Sequence, residues 1–166
     1  MELLKLTPFQ ETLHEAMCGP ASLKIVLDYY GIDKSEQELA DLMGKTDEGT
    51  DEYGFRTAAE SLGLEFKMKN EAELSDIQNF LKDDVPVIVN WFTRGRADYS
   101  DSDIADGHYS VVAGLDDKYI YLQDPELGIL RTLRRDDFAR VWFDFSGKYI
   151  SRDGLIVRQL IAISRK

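Results

Sequence analysis

Residues 107–126 read GHYSVVAGLDDKYIYLQDPE. HYSVVAGL is a continuous, β-branched apolar run of the kind that forms a buried strand. KYIYLQ alternates, as a second strand would, and Asp116-Asp117 between the two reads as a tight turn. The two runs therefore pair as an antiparallel hairpin, with the start of one beside the end of the other. That pairing makes His108 and Asp124 neighbours across the ladder. Considered separately, His108 is also a strand-edge histidine, and Asp124 a turn residue before Pro125.

Working outward, residues 85–92 (VPVIVNWF) form another buried run, and residues 155–164 (LIVRQLIAIS) close the chain as a last strand. Residues 136–143 (DDFARVWF) read as a short helix. Helices dominate the first half. Residues 19–30 (GPASLKIVLDYY) place Leu23, Val26, Leu27 and Tyr30 at helical spacing, with Pro20 in the first turn and Gly31 as the stop. Ser35 with Glu38 makes a capping box for a second helix that stops at Gly44. Residues 45–53 are polar loop, 54–63 a third helix, 64–69 a strand and 73–84 a fourth, amphipathic helix. Helices first and strands later predict an α+β domain spanning 1–166, its N-terminal helices packed on a C-terminal antiparallel sheet.

Composition narrows the function. The chain has 166 residues, 31 acidic and 20 basic side chains, and a net charge of −11. Such a surface repels nucleic acid and anionic lipid and would tolerate or prefer a cationic substrate, though solubility is the simpler reading of the charge. The single cysteine, Cys18, excludes an internal disulfide and a multi-thiolate zinc site. No secretory signal and no long apolar span is visible, so a cytoplasmic protein that needs neither metal nor organic cofactor is expected.

Cys18 sits at the N-terminal end of the first predicted helix, where free N–H groups and the macrodipole favour a thiolate. A free cysteine is otherwise a buried structural residue. A thiolate nucleophile needs a histidine partner. The chain has two histidines, His14 and His108. His14 lies in the polar segment before Cys18 with no rigid element to orient it; His108 opens a core strand. The aspartates of residues 94–107 (Asp98, Asp101, Asp103, Asp106) lack the spacing of a calcium loop and read as a solvated rim. Trp91, Phe92, Trp142 and Phe143 read as core.

Cys18-Gly19-Pro20-Ala21-Ser22-Leu23, with the aliphatic helix ending DYYGI, resembles the cysteine motif of the bacteriocin-processing peptidases. These are papain-like enzymes that cut leader peptides after a double glycine. The block at 107–126 resembles that family's histidine and aspartate motif, and the likeness runs over about residues 8–145. It implies a papain-like fold and a Cys18–His108–Asp124 triad acting on a peptide or amide. The Cys18 backbone N–H would be one oxyanion donor. The family's oxyanion glutamine stands six residues before the cysteine, where this chain has Thr12. Gln10, eight before, becomes the side-chain candidate if the intervening loop is two residues longer. The alternatives are an acyltransferase with the same triad, a non-catalytic peptide-binding or regulatory module, and a redox sensor.

Overall fold

A computed structural model of the chain describes residues 2–12, 16–47, 49–92, 105 and 107–166. The elements run α1 (Cys18–Tyr29), α2 (Glu36–Leu42), α3 (Glu52–Ser61), β1 (Glu65–Lys69), α4 (Leu74–Lys82), β2 (Val87–Phe92), β3 (Gly107–Leu115), β4 (Tyr119–Asp124), β5 (Ile129–Arg134), α5 (Arg135–Val141), β6 (Phe143–Phe145), β7 (Leu155–Val157) and β8 (Leu160–Ser164). Six strands form one sheet in the order β1-β8-β2-β3-β4-β5, every neighbouring pair antiparallel. The fold is α+β and papain-like.

Period-two alternation splits the sheet between two cores. Ile88, Tyr109, Val111, Ile161 and Ile163 meet α1, α2 and α3 through Leu23, Leu27, Leu39 and Phe55. Val87, Val89, Trp91, Val112 and Leu122 face the other way, onto Ile77 of α4 and Phe138 of α5. Helices therefore cover both faces, and β1 joins the sheet from the N-terminal half. Leu23, Val26 and Leu27 are fully buried, so truncating Leu23 or Leu27 to alanine should cost about 2–5 kcal/mol.

Local signals account for most of the boundaries. The Ser35 hydroxyl accepts the Glu38 N–H (3.1 Å) and the Glu38 carboxylate accepts the Ser35 N–H (2.8 Å), so the capping box forms. The third helix starts at Glu52 rather than Gly54 because Asp51 caps it, accepting the Gly54 N–H. The closing run is two strands, not one. Arg158 adopts φ 47 between them, which bends the chain. β7 then pairs with β6 in a separate ribbon, while β8 enters the sheet between β1 and β2.

The β3–β4 hairpin carries one irregularity. On the turn side Leu115 opposes Ile120 and Gly114 opposes Tyr121; on the far side Val112 opposes Leu122 and Val111 opposes Gln123. Ala113 is therefore an extra residue, a β-bulge. It lets Val112 and Leu115, three residues apart, enter the same core. The Ala113 carbonyl accepts the Leu4 N–H (2.8 Å), tying the N-terminal segment to the bulge.

Candidate active site

Cys18 is the first residue of α1, whose N-cap, Met17, offers no side-chain hydrogen bond. The first-turn N–H groups are the ones no helical carbonyl can satisfy. Ala16, just before, holds φ 58, a conformation costing a non-glycine residue about 1–2 kcal/mol. Gly19 is required by close approach: a Cβ there would lie 2.9 Å from the Thr50 hydroxyl.

His108 lies near the start of β3, directly across from Trp91 of β2. Asp124 ends β4, one step beyond the Val111–Gln123 pair and so opposite Ser110. His108, Ser110 and Asp124 consequently share a face, and His108 reaches Asp124 on the diagonal. Its Nε2 donates to Asp124 Oδ1 at 2.6 Å. Asp124 also accepts the Glu126 N–H (2.9 Å) and Arg131 Nη1 (2.8 Å). Arg131 stacks over Trp91, its guanidinium carbon 5.0 Å from the ring centroid, and Trp91 Nε1 donates to the buried Ser110 hydroxyl.

The imidazole is 6% exposed and the Asp124 carboxyl is wholly buried. Burial opposes charge on His108. Its hydrogen bonds to Asp124 and to the Cys18 side chain, with their negative charges, outweigh that and raise its pKa. Burial likewise opposes charge on Asp124, but hydrogen bonding and attraction from His108, then the bonds from Arg131 and the Glu126 N–H, hold it down at about 2.

Cys18 and His108 open into a cleft also lined by Glu11, Asn90, Asp51, Glu52, Glu126 and Asp144. The segment leading to Glu11 is fixed from two sides. The Glu11 N–H donates to the Pro125 carbonyl (2.8 Å), and the Thr12 N–H and hydroxyl donate to the Glu36 carboxylate. The structure does not bring Gln10 into the cleft: its exposed amide donates to the Glu126 carbonyl (3.2 Å), and its stem lies against Gly128. Glu11 lines the cleft instead. His108, Asp124 and Glu126 each place one ligand atom within 4.8 Å of the others. The Asp124 oxygens already bind His108, Arg131 and a backbone N–H, which leaves a poor donor set for a cation. His14 and the four aspartates of 94–107 lie outside the described residues. Trp91, Phe92 and Trp142 are buried and Phe143 half-buried, as a core role requires.

The model of the Peptidase_C39 like family matches residues 5–150. The chain belongs to this family. A relative named as an uncharacterized protein of Methanothermobacter marburgensis is 37% identical over 125 residues, 75% of each chain. The transport/processing ATP-binding protein ComA of Streptococcus pneumoniae strain R6 is 31% identical over 127 residues, which are 75% of this chain and 16% of that one. The crystal structure of a double glycine motif protease from an AMS/PCAT transporter, in complex with the leader peptide, superposes with TM-score 0.70. It covers 99% of this chain and 95% of that one at 22% identity, a likeness of fold. No helix among the described residues is long and apolar enough to cross a membrane.

Within this Peptidase_C39 like chain, three groups near the site went unread in the sequence. Arg131 sits on β5, a strand whose exposed Ile129 and Leu130 hide its pairing. Asn90 is 3% exposed, and its Oδ1 has no hydrogen-bond partner among the described residues; a lone asparagine within VPVIVNWF was the available signal. Glu11 gave no signal, because only the placement of Gln10 shows which of the two neighbours turns inward.

Proposed function

We propose that this chain is a thiol-dependent peptidase. The observation that carries the reading is the buried His108, hydrogen-bonded to Asp124 and sharing one cleft with Cys18 at the start of α1. Cys18 sulfur attacks the scissile carbonyl carbon, and the carbonyl electron pair moves onto oxygen. The Cys18 backbone N–H stabilises that oxyanion. His108 passes its proton to the leaving amine as the C–N bond breaks, leaving a thioester. It then takes a proton from the water that hydrolyses the thioester and releases Cys18. Asp124 holds the imidazole in the correct tautomer, and Arg131 holds Asp124.

The substrate is a peptide, in keeping with the leader peptide held by the structural relative. The carboxylates of Asp51, Glu52, Glu126 and Asp144 on the cleft wall suit basic residues in it. The site of action is a reducing compartment such as the cytoplasm. A second reading, a peptide-binding module without turnover, draws on the outward placement of Gln10.

Iodoacetamide alkylation separates the two. In a peptidase, Cys18 alkylates readily at mildly acidic pH, and His108→Ala slows it sharply. Alkylation indifferent to that substitution would overturn the catalytic pair and leave the binding module.

A further inference from the structure

A thiol peptidase needs a side-chain donor opposite the helix-start N–H, and Gln10, the amide candidate, is committed to the Glu126 carbonyl. Glu11 occupies the position that Gln10 does not. It lines the cleft with Cys18 and His108. Its backbone is clamped to the Pro125 carbonyl, in the turn that directly follows Asp124. Its Oε2 is buried and has no hydrogen-bond partner among the described residues.

An ionised carboxylate only accepts hydrogen bonds, and next to a forming oxyanion it would repel. A protonated carboxyl donates one. We propose that Glu11, in its protonated form, supplies the side-chain half of the oxyanion hole, its O–H donating to the substrate oxygen opposite the Cys18 N–H. The proposal rests on the acyl-transfer reading of Cys18. The proton stays on Glu11 throughout, so the bond changes at the carbonyl are those already described. An acid kept neutral by its surroundings can serve as such a donor.

Those surroundings are acidic on most sides. Glu36 of α2, Asp124 of β4 and Glu126 of the following turn press negative charge on Glu11, while His108 of β3 is the positive group facing it. Arg131 of β5 is occupied by Asp124. Asp51, Glu52 and Asp144 complete the cleft wall, and Cys18 lies across it. Burial is the largest influence and raises the Glu11 pKa; His108 lowers it, the neighbouring carboxylates raise it, and the balance lies at about 7. Acylation should therefore lose its donor as pH rises through neutrality.

Two reactions at Cys18 isolate this donor. Iodoacetamide is displaced at a saturated carbon: the S–C bond forms, iodide leaves, and no oxyanion arises. With p-nitrophenyl acetate the sulfur attacks the acetyl carbon, an oxyanion forms and collapses, and p-nitrophenolate leaves. The ratio of acylation to alkylation reads the oxyanion hole alone. In the wild-type chain this ratio should fall as pH rises through about 7. In Glu11→Gln the ratio stays high and loses that pH dependence, because an amide donates at any pH. In Glu11→Ala it drops on the order of 10²-fold while alkylation holds. A ratio unchanged in both variants would overturn the proposal, as would a collapse in Gln10→Ala with Glu11→Ala intact. Failure of the underlying triad would show separately, as alkylation indifferent to His108→Ala.

A stability readout stands beside it. The folded Glu11 pKa lies above its ordinary value of 4.5, so its contribution to stability is full below that value and is lost as pH rises through about 7. The urea midpoint of the wild type, relative to Glu11→Gln, should fall between pH 5 and pH 8. A constant difference would overturn the assignment.

Discussion

Asp116 and Asp124 stand at opposite ends of one hairpin, and each accepts three hydrogen bonds. Asp116 takes the Lys118 and Tyr119 N–H groups and the Tyr121 hydroxyl. Asp124 takes the Glu126 N–H, Arg131 and His108. Both carboxyls are held below their ordinary pKa, Asp116 first by its two backbone bonds and Asp124, against burial, first by His108. The difference lies in the donors. Backbone donors near the surface lock a turn as long as the carboxylate is ionised. Charged side-chain donors in a buried setting transmit the carboxylate's charge to a group that reacts. The same count of bonds fastens a turn at one end and, in the proposed reaction, positions an imidazole at the other.

Asp124→Ala should break that contrast most severely. It leaves His108 without its orienting partner and Arg131 without its ion pair. The expected loss is about 10²–10⁴ in the rate of acylation by p-nitrophenyl acetate, with about 3–5 kcal/mol of stability by urea denaturation. Asp124→Asn keeps an acceptor oxygen for the ring and should retain more of both. If the two variants fall equally, charge rather than orientation is what Asp124 supplies. Arg131→Met removes a cation 2.8 Å from Asp124. Asp124 should then ionise less readily, and acid unfolding should set in at a higher pH. Acid unfolding sharpens the comparison further. Asp124's contribution is complete above its unfolded value near 3.8 and is lost as pH falls toward about 2. Asp124→Asn should accordingly flatten that stretch of the curve. The smallest effect belongs to Asp116→Asn: a slight fall in Tm, with acylation and alkylation at wild-type rates.

Where residue chemistry and local pattern agreed, the sequence was legible. The buried runs around Val89 and Val111, the Asp116-Asp117 turn and the Ser35 capping box depend on neighbours within a few residues, and each appears in the structure. Elements that depend on distant partners were not. β5 has no apolar alternation and is recognisable only once β4 is beside it. The split of the closing run rests on one residue, Arg158, at positive φ. At the site, Cys18, His108 and Asp124 could be picked out by chemical type, but the inward turn of Glu11 and the arrival of Arg131 depend on long-range packing. Gln10 marks the boundary most clearly: the right kind of side chain, one residue from the cleft, held by the turn that follows Asp124.

The extra residue at Ala113 sets rules for how this hairpin can change length. With the turn-side register continued and no bulge, Asp124 would fall opposite Val111, on the face turned away from His108. The sixteen-residue separation of the two site residues therefore works only in company with an irregular ladder. Residues added within the turn at 116–118 lengthen a loop and the separation with it, but leave the pairing of the strands alone. A single residue added to a strand reverses the parity and must be absorbed by another bulge. Deleting Ala113 itself is the tolerated subtraction, since it regularises the ladder and preserves every pair on both sides. At this turn length a relative can hold its histidine and aspartate fifteen apart on straight strands, or sixteen apart on a bent one.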